Sequence, residues 1–350
     1  MSADDRFVTL DGMRGMAAFV VAAAHIGELL QIGVPPQAHL AVDFFFVLSG
    51  FVIAHAYESR LATTMRPLDF VRARVIRLHP LLLLGSAITL AIFLADSVAG
   101  EGPGVAVLLW TTLAGILMVP TNQPWSSAAF PLDGPAWSLF AEYAVNMLFA
   151  VAAVWLTMSR LRSLLLLGVA LLVALSVSPA GLESYWRADH VGLSLLRVIY
   201  PFFAGVMALR LYRSGRVPCP SLSPYLPFAL LLAILLAPST QFDTLFQFVM
   251  IAAVFPMLVF ASARDRVTRA QGEWMLQGGR LSYPVYVLHF PLAMLLVPAL
   301  SARLPAMSAL GSIMLLVVAA SYLALRYYDE PVRAWLSGRL RANRRRDLAT

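Results

Sequence analysis

A chain of 350 residues that is 60% hydrophobic and only 13% charged has too little polar side chain to cover a water-soluble globule. Its apolar runs are long enough to cross a hydrocarbon core of roughly 30 Å, so the composition predicts an all-α, polytopic membrane bundle and argues against a nucleic-acid partner. One cysteine, Cys219, excludes an internal disulfide framework; it lies in the Pro-rich loop Val217 to Pro220 and reads as structural.

The first apolar segment, 14–32, follows Asp4, Asp5 and Asp11 and carries Arg14 and His25 inside it. A cleaved signal peptide has neither feature, so a retained helix is expected. Eleven residues make about three turns, which puts Arg14 and His25 on one face about 16 Å apart along the axis. Ionisable groups at that depth are costly and face a bundle interior or a wet cavity, so the pair predicts a polar path through the bilayer. Segment 41–57 carries Asp43 near one end. Segment 75–95 opens on Arg72, Arg74 and Arg77, of which the last two, at i, i+3, can point at one anion. The short segment 105–119 precedes a Pro-rich, Arg-free loop, Pro120 to Pro135. In segment 136–158 Ser138, Glu142 and Asn146 share a stripe at i, i+4 spacing, beside Trp137. Segments 163–177, 193–211, 224–238 and 244–262 add little polar chemistry, whereas 281–299 brings Ser282, Tyr286 and His289 to one face. A last segment, 309–327, leads to the Arg-rich tail, in which Arg339, Arg341 and Arg344 to Arg346 read as a membrane-surface anchor.

The arginines orient these segments. All 26 basic residues are Arg, and eleven simple crossings from a cytoplasmic N-terminus would put the loops holding Arg160, Arg162, Arg210 to Arg216 and Arg264 to Arg269 outside. That violates the positive-inside bias. If 105–119 is instead a re-entrant or outer short helix, ten crossings remain and both termini are cytoplasmic. Only Arg187, Arg197 and Arg303 then lie outside or near an outer end, leaving 26 − 3 = 23 inside. In that frame Arg14 and the Arg72–Arg77 cluster are cytoplasmic-side, His25 and His289 are central, and Glu142 lies about 9 Å below its outer end.

A neutral imidazole oriented by a carboxylate is the usual general base for a hydroxyl, so His25 with Glu142 is the expected catalytic pair. Arginine forks suit phosphate, which makes the cluster of Arg72, Arg74 and Arg77 a candidate for holding a phosphate-rich cofactor. Plainer readings stand beside these. The Arg cluster could be positive-inside decoration, His289 a helix-packing donor, and Asp43 a local cap or ion-pair partner. His39, His55, His79 and His190, near segment ends or in loops, read as non-catalytic.

These residues carry a resemblance to the acyltransferase-3 family of bacterial membrane O-acyltransferases. Leu10 to Gly15 followed by His25 resembles the family's Arg, ten residues, His signature, and Val42 to Phe51 resembles its second-helix motif. Arg74-Val75-Ile76-Arg77-Leu78-His79-Pro80 resembles its Arg-x-x-Arg-x-x-Pro element, with His79 where Tyr is common. Trp137-Ser138-Leu139 with Glu142, Ser282 to His289, and Glu330-Pro331 resemble three further motifs in the same order. The resemblance covers residues 1–335 as one transmembrane domain, with 336–350 as a cytoplasmic tail. It implies an acyl-CoA donor, most often acetyl-CoA, with its phosphates on Arg14, Arg74 and Arg77, no metal, and a glycan or glycolipid acceptor reached from the outer half. It also implies a multi-pass protein of the bacterial inner membrane. Asp43, Trp137, Ser138, Asn146, Ser282, Tyr286 and His289 would support the site or the substrate. Members with a fused esterase-like domain exist; this chain would hand on the acyl group directly or through a separate periplasmic transferase. A proton-coupled transporter or flippase of a glycan precursor, and a scaffold for glycan assembly, are the rival readings, since intramembrane His and Glu also serve proton relays. Acceptor identity, acyl length, and direct transfer against an acyl-enzyme are left open by the residues alone.

Overall fold

The computed structural model describes residues 7–178, 181–182, 185–218, 223–264 and 267–347. Asp4, Asp5 and Cys219, and the side chains of Arg341 and Arg344 to Arg346, lie outside the described residues. The expected apolar segments all form helices: α1 (Val8–Leu29), α2 (Leu40–Thr63), α3 (Pro67–Val98), α4 (Val105–Ile116), α5 (Ala136–Ala152), α6 (Met158–Ser176), α7 (Val191–Arg197), α8 (Ile199–Ser214), α9 (Tyr225–Leu235), α10 (Asp243–Val249), α11 (Phe255–Ser262), α12 (Arg269–Ser301) and α13 (Ala306–Ala324); a polar helix outside the expected segments, α14 (Glu330–Asp347), follows them. Single π-helical turns, Met250–Val254 and Leu325–Asp329, carry α10 into α11 and α13 into α14.

Seven of these rods, counting α7 with α8, α10 with α11 and α13 with α14, are long and apolar enough to cross a membrane. Apolar side chains also cover the outside of the bundle: Leu166 is 73% exposed and Leu315 71%, which suits a hydrocarbon surround rather than water. Some boundaries differ from expectation. α3 begins at Pro67, because proline at the first helical position costs no hydrogen bond, so the three arginines stand within the helix rather than before it. α9 has 11 residues, about 16 Å, shorter than the 224–238 run suggested. Residues 336–347 of the tail are the continuation of α14.

Two close helix contacts set the frame. α1 and α12 meet with near-constant sequence offset: Gly15 against Gly278, Arg14 against Ser282, His25 against His289. A constant offset means the two helices run parallel. A Cβ on Gly15 would sit 2.6 Å from the Gly278 carbonyl carbon, so only glycine permits this approach. Gly50 of α2 and Gly205 of α8 likewise let those backbones touch, with Phe44, Phe51, Phe202 and Phe203 filling the core around them. At the end of the bundle away from the arginine cluster, the loop after α4 folds against the α6–α7 loop through Ala129 N–H to Trp186 O (2.9 Å) and Ala188 N–H to Ser127 O (2.9 Å).

Candidate active site

α1, α2, α3, α5 and α12 enclose a cavity of about 230 Å³. Its wall carries Arg14, Arg74 and Arg77 against one carboxylate, Glu142, an excess of 3 − 1 = 2 positive charges. Ser49, Ser138, Ser282, Tyr283 and Tyr286 supply hydroxyls, and Phe45, Phe46, Leu48 and Val52 line the rest. The cavity shares Val52, Ile53, Arg74 and Arg77 with a wider groove of about 1010 Å³, where Arg60, Arg66, Arg72 and Arg333 face Asp69 and Glu330. The phosphate-holding candidates therefore form one cationic trough.

Each arginine is held by a different device. Arg14 donates from Nε to Ser282 Oγ (2.9 Å) and from Nη2 to the Gly279 carbonyl (2.9 Å), and it pairs with Asp11 at 2.8 Å. Arg74 forms an ion pair with Glu142, whose Oε1 also accepts from Ser49 Oγ at 3.4 Å. The Nε–H of Arg74 is buried without a partner, a donor that an anion in the cavity would satisfy. Arg77 lies over the Tyr283 ring at 5.5 Å. Behind it the α13–α14 π-turn brings in Asp329, paired with Arg333 at 2.8 Å, while Arg280 and Arg326 hold Glu330 and so tie α14 to α12. π-turns of this kind recur at functional sites.

The histidines stand elsewhere. His25 Nδ1 lies 2.8 Å from His289 Nε2, and His289 Nδ1 lies 3.1 Å from the Val285 carbonyl. Neither histidine lines the cavity; its inner wall is Tyr286, bonded to Ser138 at 2.6 Å, with the Tyr286 and His289 rings 6.0 Å apart. The expected His25–Glu142 pair is thus replaced: Glu142 sits on α5 facing α3, where the Arg74 guanidinium claims it, and α12 supplies the partner of His25. Ser138, Glu142, Ser282 and Tyr286 do converge on the cavity, but Asp43, Trp137 and Asn146 do not. Asp43 pairs with Arg197 in the buried core, Trp137 packs against both the main core and the smaller cluster of Ala129, Phe130, Ala136 and Val191, and the Asn146 amide is buried with no hydrogen-bond partner. His79 bonds Tyr143 Oη (2.7 Å) and the Ile116 carbonyl (3.2 Å), which fastens α3 to α4 and α5.

Several groups escaped sequence reasoning. Ser49 and Tyr283 lie within the family-like motifs with no role assigned by the sequence, Arg197 enters the sequence reading only as an arginine near an outer helix end, and Asp133 lies in the loop after α4. Asp133 is 5% exposed with an unpartnered Oδ1, and burial pushes its carboxyl up to about 7. Among the described residues, no group of three or more His, Cys, Asp or Glu side chains is placed to hold a metal.

A model of the acyltransferase-3 family, described as an acyltransferase domain, matches residues 7–326. The chain belongs to that family. It is 37% identical over 160 residues to "Protein 2 in picA locus" of Rhizobium radiobacter, covering 43% of this chain and 83% of that protein. It is 29% identical over 155 residues to the acyltransferase MdmB of Streptomyces mycarofaciens, 41% of this chain and 38% of that protein. A third relative, BcsY of Komagataeibacter xylinus, is named as a membrane-bound transacylase and is 24% identical over 302 residues, 81% of this chain and 72% of its own. No solved structure matches the chain. Family and helices together make this protein a membrane acyltransferase.

Proposed function

We propose that the protein moves an acyl group, most often acetyl, from cytoplasmic acyl-CoA to a hydroxyl of an extracytoplasmic or membrane-associated glycan. The observation that carries this reading is the cationic trough leading into a cavity where Arg74 keeps an unsatisfied buried donor. A phosphate-bearing donor fits that chemistry, and a neutral one would leave the charge excess unanswered. In this reading α1, α5 and α9 cross with the seven long rods, which makes ten; the arginine distribution makes that choice rather than length, since α4 has 12 residues and α9 has 11. Both termini and the trough then lie on the cytoplasmic side of the inner membrane, and His25 lies about 16 Å deeper than Arg14.

In this scheme Arg14, Arg74 and Arg77 hold the donor's phosphates and the acyl end reaches past the Tyr286–Ser138 hydrogen bond. The imidazole of His25 takes the proton of the acceptor hydroxyl as the oxygen forms a bond to the acyl carbon. As the carbon–sulfur bond breaks, the imidazolium returns that proton to the departing thiolate, so ester and free thiol are the products.

The test uses purified protein with labelled acetyl-CoA and a glycan extract of the producing cell. His25→Ala abolishes transfer while the protein stays inserted. Arg74→Ala, which removes a charge-assisted hydrogen bond of about 1.5–3 kcal/mol, raises the donor KM about 10- to 100-fold. Near-wild-type transfer by His25→Ala, or an unchanged donor KM in Arg74→Ala, would refute the assignment.

A further inference from the structure

We propose that His289 is a positioning residue that fixes His25 in the tautomer protonated at Nδ1, leaving His25 Nε2 as the free lone pair that meets the acceptor hydroxyl. The proposal rests on the acyl-transfer reading for what that lone pair does, but not for which nitrogen carries the proton.

The argument starts from a backbone carbonyl. A carbonyl oxygen accepts and never donates, so the 3.1 Å contact between His289 Nδ1 and Val285 O puts a hydrogen on Nδ1. A neutral imidazole carries one N–H, so His289 Nε2 is a lone pair. The 2.8 Å separation from His25 Nδ1 then requires that His25 donate. His25 has in turn only one hydrogen, which leaves its Nε2 unprotonated. The proton positions thus follow from the hydrogen-bond network, each step forced by the one before.

Ring geometry agrees. The planes are 7° apart and the centroids 5.1 Å apart. That centroid distance equals the nitrogen separation plus the two ring radii, so the imidazoles lie side by side in a shared orientation. The His25 Nδ1–H and the His289 Nε2 lone pair therefore both point along the N···N line, as a hydrogen bond needs and a face-to-face stack would not allow. Burial assigns the roles. His289 is 0% exposed and both its nitrogens are engaged, so it cannot receive a substrate proton, whereas His25 is only partly buried. His289 does for His25 what a buried carboxylate does in a hydrolase triad, which is to hold tautomer and ring direction. It does so without adding a charge at bilayer depth, where an unpaired carboxylate would be expensive. Position makes the device possible: α1 and α12 are parallel, and the Gly15–Gly278 contact brings their backbones close enough for two imidazoles to touch three turns further on.

The experiment is nitrogen-15 NMR of the full-length protein in detergent with labelled histidine, the His25 signals being identified by their loss in His25→Ala. Wild type shows His25 as the Nδ1–H tautomer, and His25 found protonated at Nε2 overturns the proposal. His289→Leu removes the acceptor, so His25 shifts toward the Nε2–H form and kcat falls at least about 100-fold with the donor KM unchanged. His289→Gln keeps a carbonyl acceptor and restores most of kcat and the Nδ1–H signal; a glutamine variant no better than leucine refutes the positioning role. The wild-type spectrum decides the tautomer even if His289→Leu does not fold. Should the tautomer be as stated while no acyl transfer from acetyl-CoA occurs, the donor reading falls and the histidine geometry stands.

Discussion

Replacing Asp43 with alanine should unfold the protein far more readily while leaving its chemistry intact in a compensated variant. Asp43 is 1% exposed and Arg197 3% exposed, so neither charge has water to fall back on. The pair is bidentate, with Arg197 Nε donating to Oδ1 at 3.0 Å and Nη2 donating to Oδ2. Arg197 also gives Nη1 to the Leu182 carbonyl at 2.6 Å and lies 4.9 Å over the Tyr185 ring. Asp43→Ala strands a buried guanidinium, a change that costs about 3–5 kcal/mol. Because the carbonyl and the ring remain, the lower end, about 3 kcal/mol, is expected, more than a hundredfold in the folded-to-unfolded ratio. Asp43→Leu combined with Arg197→Met removes both charges and should return stability to within about 1 kcal/mol of wild type, since apolar replacements of buried pairs are commonly neutral or better. Denaturation by SDS in mixed micelles measures each arm of the cycle, and acyl transfer is measured on each folded variant. The reasoning fails if Asp43→Ala is as stable as wild type, or if the double variant folds normally and is inactive. The second result would make Asp43 a participant in the reaction.

Gly15→Val should force α1 from α12, because its Cβ would lie 2.6 Å from Gly278; a stability loss of about 1–3 kcal/mol and loss of transfer are expected, with Gly33→Ala, which meets nothing within 4 Å, as the unaffected control. Asp133 makes a signed pH prediction. Its carboxyl titrates at about 7 when folded and near 3.9 when unfolded, so the folded state holds a proton that the unfolded chain has lost between those values. Stability is therefore highest below about pH 4 with respect to this group and falls through about pH 7, by three units at about 1.4 kcal/mol each, or about 4 kcal/mol. Asp133→Asn should flatten that fall and be the more stable protein at pH 8, as read from unfolding midpoints in detergent between pH 4 and 8; equal slopes in the two proteins would refute it.

What the sequence made legible was depth, and what it withheld was direction around each helix. The apolar runs located the helices up to α13 but not α14, which is polar, and the spacing of Arg14 from His25 correctly implied one face of one helix. His25 and His289 both fall at mid-depth in the sequence, but a carboxylate is the commoner partner of a catalytic imidazole, so the residues alone favour Glu142 over His289. Nothing in a single chain reports which face of α5 meets α3, so the Arg74–Glu142 pair was invisible across 68 residues. The same holds for Arg197 and Asp43, separated by 154 residues. A lone arginine inside an apolar run was nevertheless a signal, because a charge at that depth demands a partner of opposite sign.

The rearranged partners change what the site can be asked to do. Arg14–Ser282 and His25–His289 are two rungs between the same two parallel helices, so the interval from the Arg14 end to the His25 end is set by rigid rods at the glycine contact rather than by loops. Arg74, Arg77 and Glu142 approach only the first rung, from α3 and α5, and α14 reaches only the trough beyond it. Glu142, engaged by Arg74, therefore belongs to the arginine end of the site and not to the histidine end. A shift of α3 or α5 would alter how the anion is gripped without moving His25, whereas any shift between α1 and α12 would disturb both ends at once. The α1–α12 seam is accordingly where the fold must be stiffest, and it is there that the backbones are brought together by glycine on both sides.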